Sequence, residues 1–513
     1  MMINMNPSEL IHADSVIIVS NRGPVEYSLN QDTTLTHHQG PGGMVTALIS
    51  LGSRIESTWI ALAMTEGDRF VFSKMGKEGN GLLLAPLQGQ KMQLRYVVLS
   101  EEIFSRYRQI STELLWFAQH YMYPQAQDIK SYGHILDSWA NGYSRVNQII
   151  ADAICAEITR RNEKTVIMLQ DVDFCLVSSM IRRQHPTAVI QQFLHSPWPD
   201  VRYWYLLPQK IIQSMYAGLA GNDILGFQTE HDARNFLDGA CAMLDSCSVD
   251  FETGVICWHE HRIQVRTYPI SISVVEERRI VQSQEAREEV EKLRAFLGKK
   301  IIMRVDRIDP IKNIIGGFQA YTQMLDEHEE LRGEVYFLAF LVPTRETMPT
   351  YDQYKAEVFK VVEEINQKYG SDEWQPIHVF VGNHRVRALA ALQFYDVLLV
   401  NSFFDGMNLI AKEGVVLNQR NGILVLSRTT GAFSELGKAA IPISPAYTAE
   451  TAQALYKALT LPMEERCLLA QQAREEVENH DITQWIALQV RDINKLLEES
   501  AQGFSGSLLP PRE

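Results

Sequence analysis

Two successive series of short apolar runs, each run followed by a helical pattern, set the strongest limit on what this chain can fold into. In the first series the runs are SVIIVSN (15–21), TWIALA (58–63), TVIML (165–169), AVIQQFLH (188–195) and DILGFQ (223–228). Helical patterns such as 44–52, 143–161 and 230–245 lie between them. The runs do not alternate apolar with polar, which is the pattern of strands covered on both faces. Strands alternating with helices predict a parallel sheet. After about residue 270 a charged stretch, VVEERRIVQSQEAREEVEKLRAFLGKK (274–300), reads as helical. A second series then follows: KIIMRVDR, VYFLAFLV, IHVFVG, DVLLVN and GILVLS. The chain, at 513 residues, is too long for one ordinary core. The prediction is therefore an α/β protein of two Rossmann-like, doubly wound domains facing a cleft, at residues 1–270 and 271–480. A last helix at 481–500 and a flexible tail at 501–513 complete it.

Charge and cysteine usage narrow the partners. The net charge of −14 argues against a nucleic-acid or anionic-membrane partner. The six cysteines (155, 175, 241, 247, 257, 467) form no CxxC, and contexts such as AICAEI predict buried, reduced thiols. The N-terminus lacks a basic n-region, SVIIV is too short for a signal core, and no apolar run reaches membrane-spanning length. These features predict a cytoplasmic protein; homo-oligomerisation stays open.

Ligands of doubly wound sheets bind outside the carboxyl ends of the strands, so the polar residues that follow each run are the candidates. In VLLVNSFFDGMNLIAKEGVVLN (397–418), Asp405, Gly406 and Asn408 separate a strand from a helix. A helix starting near Asn408 would offer unpaired N–H groups to an anion. Asp405 could accept from sugar hydroxyls, and Glu413, about one turn in, suits a ribose diol. An Asp-Gly turn with a solvated glutamate is the ordinary alternative. In RVDRIDPIKN (304–313), Arg307 and Lys312 flank a turn stiffened by Pro310. Two cations fit a diphosphate and the charge it gains on leaving; a solvated basic loop is the alternative. HHQGPGGMVTAL (37–48) carries a glycine turn that lets backbone approach a phosphate or sugar, or simply enters a helix. His195, at a strand end in QQFLHSPWPD, is either structural or a hydrogen-bond partner for a sugar hydroxyl. The D-x-D of Asp171 and Asp173 offers too few oxygen ligands for a metal, and Asp171 reads better as a sugar contact. Arg22 and Arg345 are candidates for a second phosphate. Trp59 and Trp116 read as core.

Taken in order, the segments VSNR, GPGGMVTAL, TWIA, YRQISTELLW, QD, HSPWP, LGFQTEHDARNFL, DRIDPIKN, VPTR, DGMNLIAKE and NHDITQWIA resemble the trehalose-6-phosphate synthase family of retaining glycosyltransferases. The resemblance implies a GT-B fold with the nucleotide mainly on the C-terminal domain and the final helix returning to the N-terminal one. It implies a UDP- or GDP-glucose donor and a sugar-phosphate acceptor, most simply glucose 6-phosphate giving trehalose 6-phosphate, with no cofactor and no metal. By carry-over, Arg307 and Lys312 hold the diphosphate and Glu413 the ribose. Asp405, with the backbone of Gly406, Met407, Asn408 and Leu409 and with His195, holds the donor sugar. Gly42 and Gly43 approach the diphosphate. Arg22, Tyr107, Trp116 and Arg345 match the acceptor phosphate, and Trp59 and Asp171 the acceptor sugar. The family mechanism is front-face substitution, in which the departing phosphate takes the acceptor's proton.

The chain also departs from the family. Gln170 and Asp173 stand in QDVD where the family has the histidines of HDYH, and DPIKN replaces DYSKG. HSPWPDVRYWYLLP and RIDPIKN resemble the pseudo-glycosyltransferase validoxylamine 7'-phosphate synthase. An acceptor other than glucose 6-phosphate, as in that enzyme or a glucosylglycerol-phosphate synthase, is the second reading. A non-catalytic sugar-phosphate sensor and a nucleotide-sugar epimerase are readings of other classes.

Overall fold

The computed structural model describes residues 10–29, 34–40, 43–52, 54–75, 82–87, 92–123, 131–346 and 348–501. It divides into two compact units. One comprises the residues up to Pro269 together with those from Ile482 onward, the other Ile270–Asp481.

The first unit is built on a sheet of β1 (Ser15–Ser20), β4 (Glu56–Leu62), β5 (Leu83–Leu84), β6 (Gln93–Val97), β7 (Thr165–Gln170), β8 (Val189–Phe193), β9 (Ile224–Phe227), β10 (Ser248–Asp250), β11 (Val255–Trp258) and β12 (His261–Thr267). A separate hairpin pairs β2 (Val25–Leu29) with β3 (Leu35–Gln39). The spatial order is β10-β11-β12-β9-β8-β7-β1-β4-β6-β5. From β12 to β6 the pairs are parallel, and antiparallel partners close both edges. Val16, Ile17, Ile18 and Val19 of β1 are completely buried, each contributing about 1.5–3 kcal/mol. The antiparallel edge strands were not legible as strands. They are short and partly exposed, as edges commonly are.

Chain order runs outward from β1 in both directions, to β4 and β6 on one side and to β7, β8 and β9 on the other. The β1–β7 boundary is therefore a topological switch point, where the connections part and leave room for a ligand. Val19 pairs with Leu169, so Asn21 and Asp171 leave the sheet at the same level. The helix Ile482–Ala501 belongs to this unit. Its Gln489 Oε1 accepts from Gln191 Nε2 at 2.9 Å, and its Asp492 accepts from the Tyr268 hydroxyl at 2.7 Å.

The second unit holds six parallel strands: β13 (Lys300–Arg307), β14 (Val335–Val342), β15 (Ile377–Val381), β16 (Val397–Val400), β17 (Ile423–Ser427) and β18 (Ile441–Ile443), in the order β15-β14-β13-β16-β17-β18. Its switch point lies between β13 and β16. The charged stretch before β13 is two helices, Val274–Val281 and Gln284–Lys292, because Ser283 turns its hydroxyl to the Ala286 N–H and caps the second.

The expectation of six buried thiols holds only for Cys155 and Cys175. Cys241 and Cys467 are exposed on helices, Cys247 and Cys257 half-exposed, and all six are free. Among the described residues, no helix is long and apolar enough to cross a membrane.

Candidate active site

At the switch point of the second unit, β13 ends in the exposed Arg307 and the chain turns through a tight helical turn, Pro310–Lys312. Asp309, wholly buried, caps that turn by accepting from the Ile311 N–H. Lys312 is 8% exposed. Its ammonium is paired with the Asp405 carboxylate, which comes from the loop after β16. Asp405 also accepts from Asn408 Nδ2 at 3.0 Å and Ser402 Oγ at 3.2 Å. Lys312 is thus a balanced cation, held in place by the carboxylate that the sequence analysis assigns to the sugar.

The loop that carries Asp405 is fixed from both sides. Asn408 adopts a left-handed conformation (φ 74°) and caps the helix Leu409–Leu417 by accepting from the Ala411 N–H. Gly406 and the buried Met407 precede it. Gly431 packs directly on the Gly406 carbonyl, where a Cβ would overlap backbone. The Gly431 and Ala432 N–H groups donate to the carbonyls of Asp405 and Met407 at 2.9 and 2.8 Å.

Glu413 lies one turn into that helix and is buried. Arg385, opening the helix Arg385–Leu392, donates to Glu413 at 3.2 Å and to Glu277 at 2.5 Å. One guanidinium therefore serves two buried carboxylates. Burial, then the charge of Glu413, pushes the Glu277 carboxyl up to about 7. Burial likewise raises Glu413, against the pull of Arg385. Arg345 stands on this unit too. It has a left-handed backbone (φ 51°), donates to Asp309 at 3.2 Å and is bonded to the Tyr351 hydroxyl.

At the switch point of the first unit, Asp171 leaves β7 with φ 67°, its carboxylate accepting from the Val172 N–H at 2.9 Å. The loop behind it is clamped by the Tyr143 hydroxyl on the Val172 carbonyl and by Asn147 Nδ2 on the Asp173 carbonyl at 3.0 Å. Tyr143 lies in a widened, π-helical segment, Trp139–Tyr143. Gly142 in that segment allows close approach to the backbone of Arg106 and Tyr107, where a Cβ would not fit. The Tyr107 hydroxyl donates to Asp173 at 2.5 Å and accepts from Asn21 Nδ2 at 3.3 Å. His195, past the end of β8, has its Nε2 3.1 Å from the Gln170 side-chain amide, so its Nδ1 is the ring nitrogen left for another partner. Its ring packs against Phe193, and desolvation pushes its basicity down to about 3, so it is neutral.

The remaining candidates divide. Trp59 is wholly buried in β4, its Nε1 donating to Ser20 Oγ at 2.7 Å, which is the core reading. Trp116 is half-buried beside His120. Arg22 is exposed and paired with Glu26 at 2.5 Å. Gly43 opens the helix Gly43–Gly52, and Gly42 lies outside the described residues.

A family model, "Glycosyltransferase family 20", matches residues 14–495. The chain belongs to glycosyltransferase family 20. It is 29% identical over 487 residues to the Dictyostelium discoideum alpha,alpha-trehalose-phosphate synthase [UDP-forming] A. That match covers 94% of this chain, and the chain spans 62% of that relative's length. Among solved structures, it is similar to trehalose-6-phosphate from E. coli bound with UDP-2-fluoro glucose (TM-score 0.79, 24% identity, 94% of this chain and 99% of that one). It is also similar to an alpha,alpha-trehalose-phosphate synthase (UDP-forming) from Burkholderia xenovorans in complex with glucose-6-phosphate (TM-score 0.77, 24% identity, 93% and 99%). These likenesses identify the fold as GT-B, the class expected of a family 20 chain with two Rossmann-like domains.

Three residues of this family 20 site escaped the sequence analysis. Glu277 sits in VVEERR, which reads as a solvated face, and Arg385 in an unremarked helix start. Gly431 follows β17 in RTTGAF, a stretch that reads as an ordinary turn. Only the fold brings them against Glu413 and Gly406.

Proposed function

We propose that this chain transfers glucose, with retention, from UDP-glucose to glucose 6-phosphate, giving trehalose 6-phosphate. One observation carries the reading: the Lys312–Asp405 pair lies at the switch point of the second unit, beside a helix start and a buried Glu413. Arg307 and Lys312 meet the donor diphosphate, and the N–H groups at 406–409 add to their field. Glu413, oriented by Arg385, accepts from the ribose diol. Asp405, positioned by Lys312, Ser402 and Asn408, accepts from a donor-sugar hydroxyl. On the first unit, neutral His195 offers Nδ1 to a sugar hydroxyl, and Asp171, Tyr107, Trp116 and Arg22 serve the acceptor.

In the reaction the bond from C1 to the diphosphate oxygen breaks, and a bond from the acceptor oxygen to C1 forms on the same face. The acceptor's proton passes to the departing phosphate oxygen. Arg307 and Lys312 stabilise the charge as it grows on the leaving group, so the reading calls for no metal and no cofactor. The test is incubation with UDP-glucose or GDP-glucose and glucose 6-phosphate, with the product identified by mass and its anomeric configuration by NMR. An α,α-linked disaccharide phosphate with stoichiometric UDP is the expected result. UDP binding without turnover on any sugar phosphate would favour the sensor reading.

A further inference from the structure

In the second unit β13 lies between β14 and β16, and its apolar run is broken by Arg304, whose side chain is wholly buried. Taking a guanidinium out of water is costly, and an apolar side chain of similar volume would pack there without that cost. Asp306, two residues on, balances its charge, accepting from Nε at 3.1 Å and from Nη2 at 2.8 Å. The rest of the fork reaches out of the strand. Nη2 also donates to the Lys312 carbonyl at 2.9 Å, and Nη1 to the Ile314 carbonyl at 3.3 Å. Asn313 between them is left-handed (φ 51°), and its own carbonyl accepts from Asn401 Nδ2 at 3.0 Å. Three successive carbonyls are thus drawn inward by side chains. The helix Ile314–Glu327 leaves the guanidinium its place, since a Cβ on Gly317 would come within 2.6 Å of Nη1. Sealed from solvent, this cation cannot touch a substrate, and the transfer reading leaves it unused.

We infer that Arg304 is a positioning residue for the transfer: by holding the carbonyls on either side of Asn313 it fixes the backbone from which the Lys312 side chain departs, and so the place of the ammonium beside Asp405. Because Asp306 balances its charge, what Arg304 supplies is direction. A lysine would keep the charge, but a single ammonium could not span two carbonyls and a carboxylate. Misplacing a group that meets the reacting atoms by about 1 Å can cost about 10²-fold in rate. The role rests on the transfer reading, in which Lys312 meets the donor diphosphate.

The test is a double-mutant cycle between Arg304 and Lys312. Arg304→Lys and Arg304→Met are each made in the parent and in Lys312→Ala, and kcat with UDP-glucose and glucose 6-phosphate is measured beside the calorimetric affinity for UDP. In the parent both changes are expected to lower kcat by about tenfold or more, and UDP affinity by about fivefold or more. In Lys312→Ala each is expected to take away less than about a further twofold, because the residue they act through is gone. An arginine that serves stability alone would lower both quantities by the same factor in either background. Losses that multiply in this way overturn the inference, as does a parent background in which neither Arg304 variant changes kcat or affinity. Should Arg304→Met fail to fold, Arg304→Lys, which keeps a cation opposite Asp306, decides the cycle. A parent that binds UDP but transfers no glucose removes the transfer reading alone, and the cycle is then decided on UDP affinity by the same two criteria.

Discussion

Replacing Glu277 with glutamine removes one negative charge from a buried cluster in which two carboxylates share one guanidinium. Glutamine keeps the Oε1 acceptor that Arg385 uses and has nothing to ionise. In the parent the Glu277 carboxyl is raised from 4.5 to about 7, first by burial and then by Glu413. The folded chain therefore holds this proton more tightly than the unfolded chain, and stability falls as pH rises between those two values. At about 1.4 kcal/mol per pH unit, the charged form costs the parent about 3–4 kcal/mol once pH is above that window. Glu277→Gln does not bear that cost. Near pH 4.5 both proteins are alike; at pH 8.5 the variant is expected to be the more stable by about 3–4 kcal/mol. For a unit the size of Ile270–Asp481 this is about 7–14 °C in Tm. Differential scanning fluorimetry across pH 5–8.5 reads the difference, with hydrogen exchange over 274–281 assigning the transition to the second unit. A variant less stable than the parent at pH 8.5, or a difference independent of pH, would refute the charge argument.

Three further expectations address the site directly. Gly431→Ala forces the Gly406 carbonyl to move, so UDP affinity measured by calorimetry should fall by about tenfold or more, equal to about 1.4 kcal/mol; unchanged affinity would detach this loop from the donor. His195, lowered to about 3, should show no titration of its ring signals between pH 5 and 8 by NMR, and a midpoint near 6.5 would contradict its desolvation. Arg307→Ala should lower kcat by about 10²-fold, because leaving-group charge is greatest at the transition state. An unchanged turnover number would remove Arg307 from the mechanism.

The parallel strands were legible because burial on both faces leaves no polar alternation in runs such as TVIML and VYFLAFLV. The hairpin strands were not: VEYSL alternates buried with partly exposed residues and HRIQVRT buries only its middle three, so both blend into loop composition. Within the site, Asp405, Asn408 and Lys312 could be singled out because each follows a strand directly, where a doubly wound sheet opens to ligands. The Glu277–Arg385–Glu413 cluster could not. Its members come from three helices whose charged residues look alike until packing decides which are buried. Asp173 stood out in the sequence as half of a D-x-D pair and as a departure from a family motif. Its bond to Tyr107, across 66 positions, gives that departure a physical meaning.

Hydrogen–deuterium exchange with and without saturating UDP tests the central claim most directly. Slowed exchange in 306–313 and 403–411, weakened together in Lys312→Ala, is the expected result. UDP bound with protection confined to other segments would contradict the placement of the donor at the β13–β16 switch point.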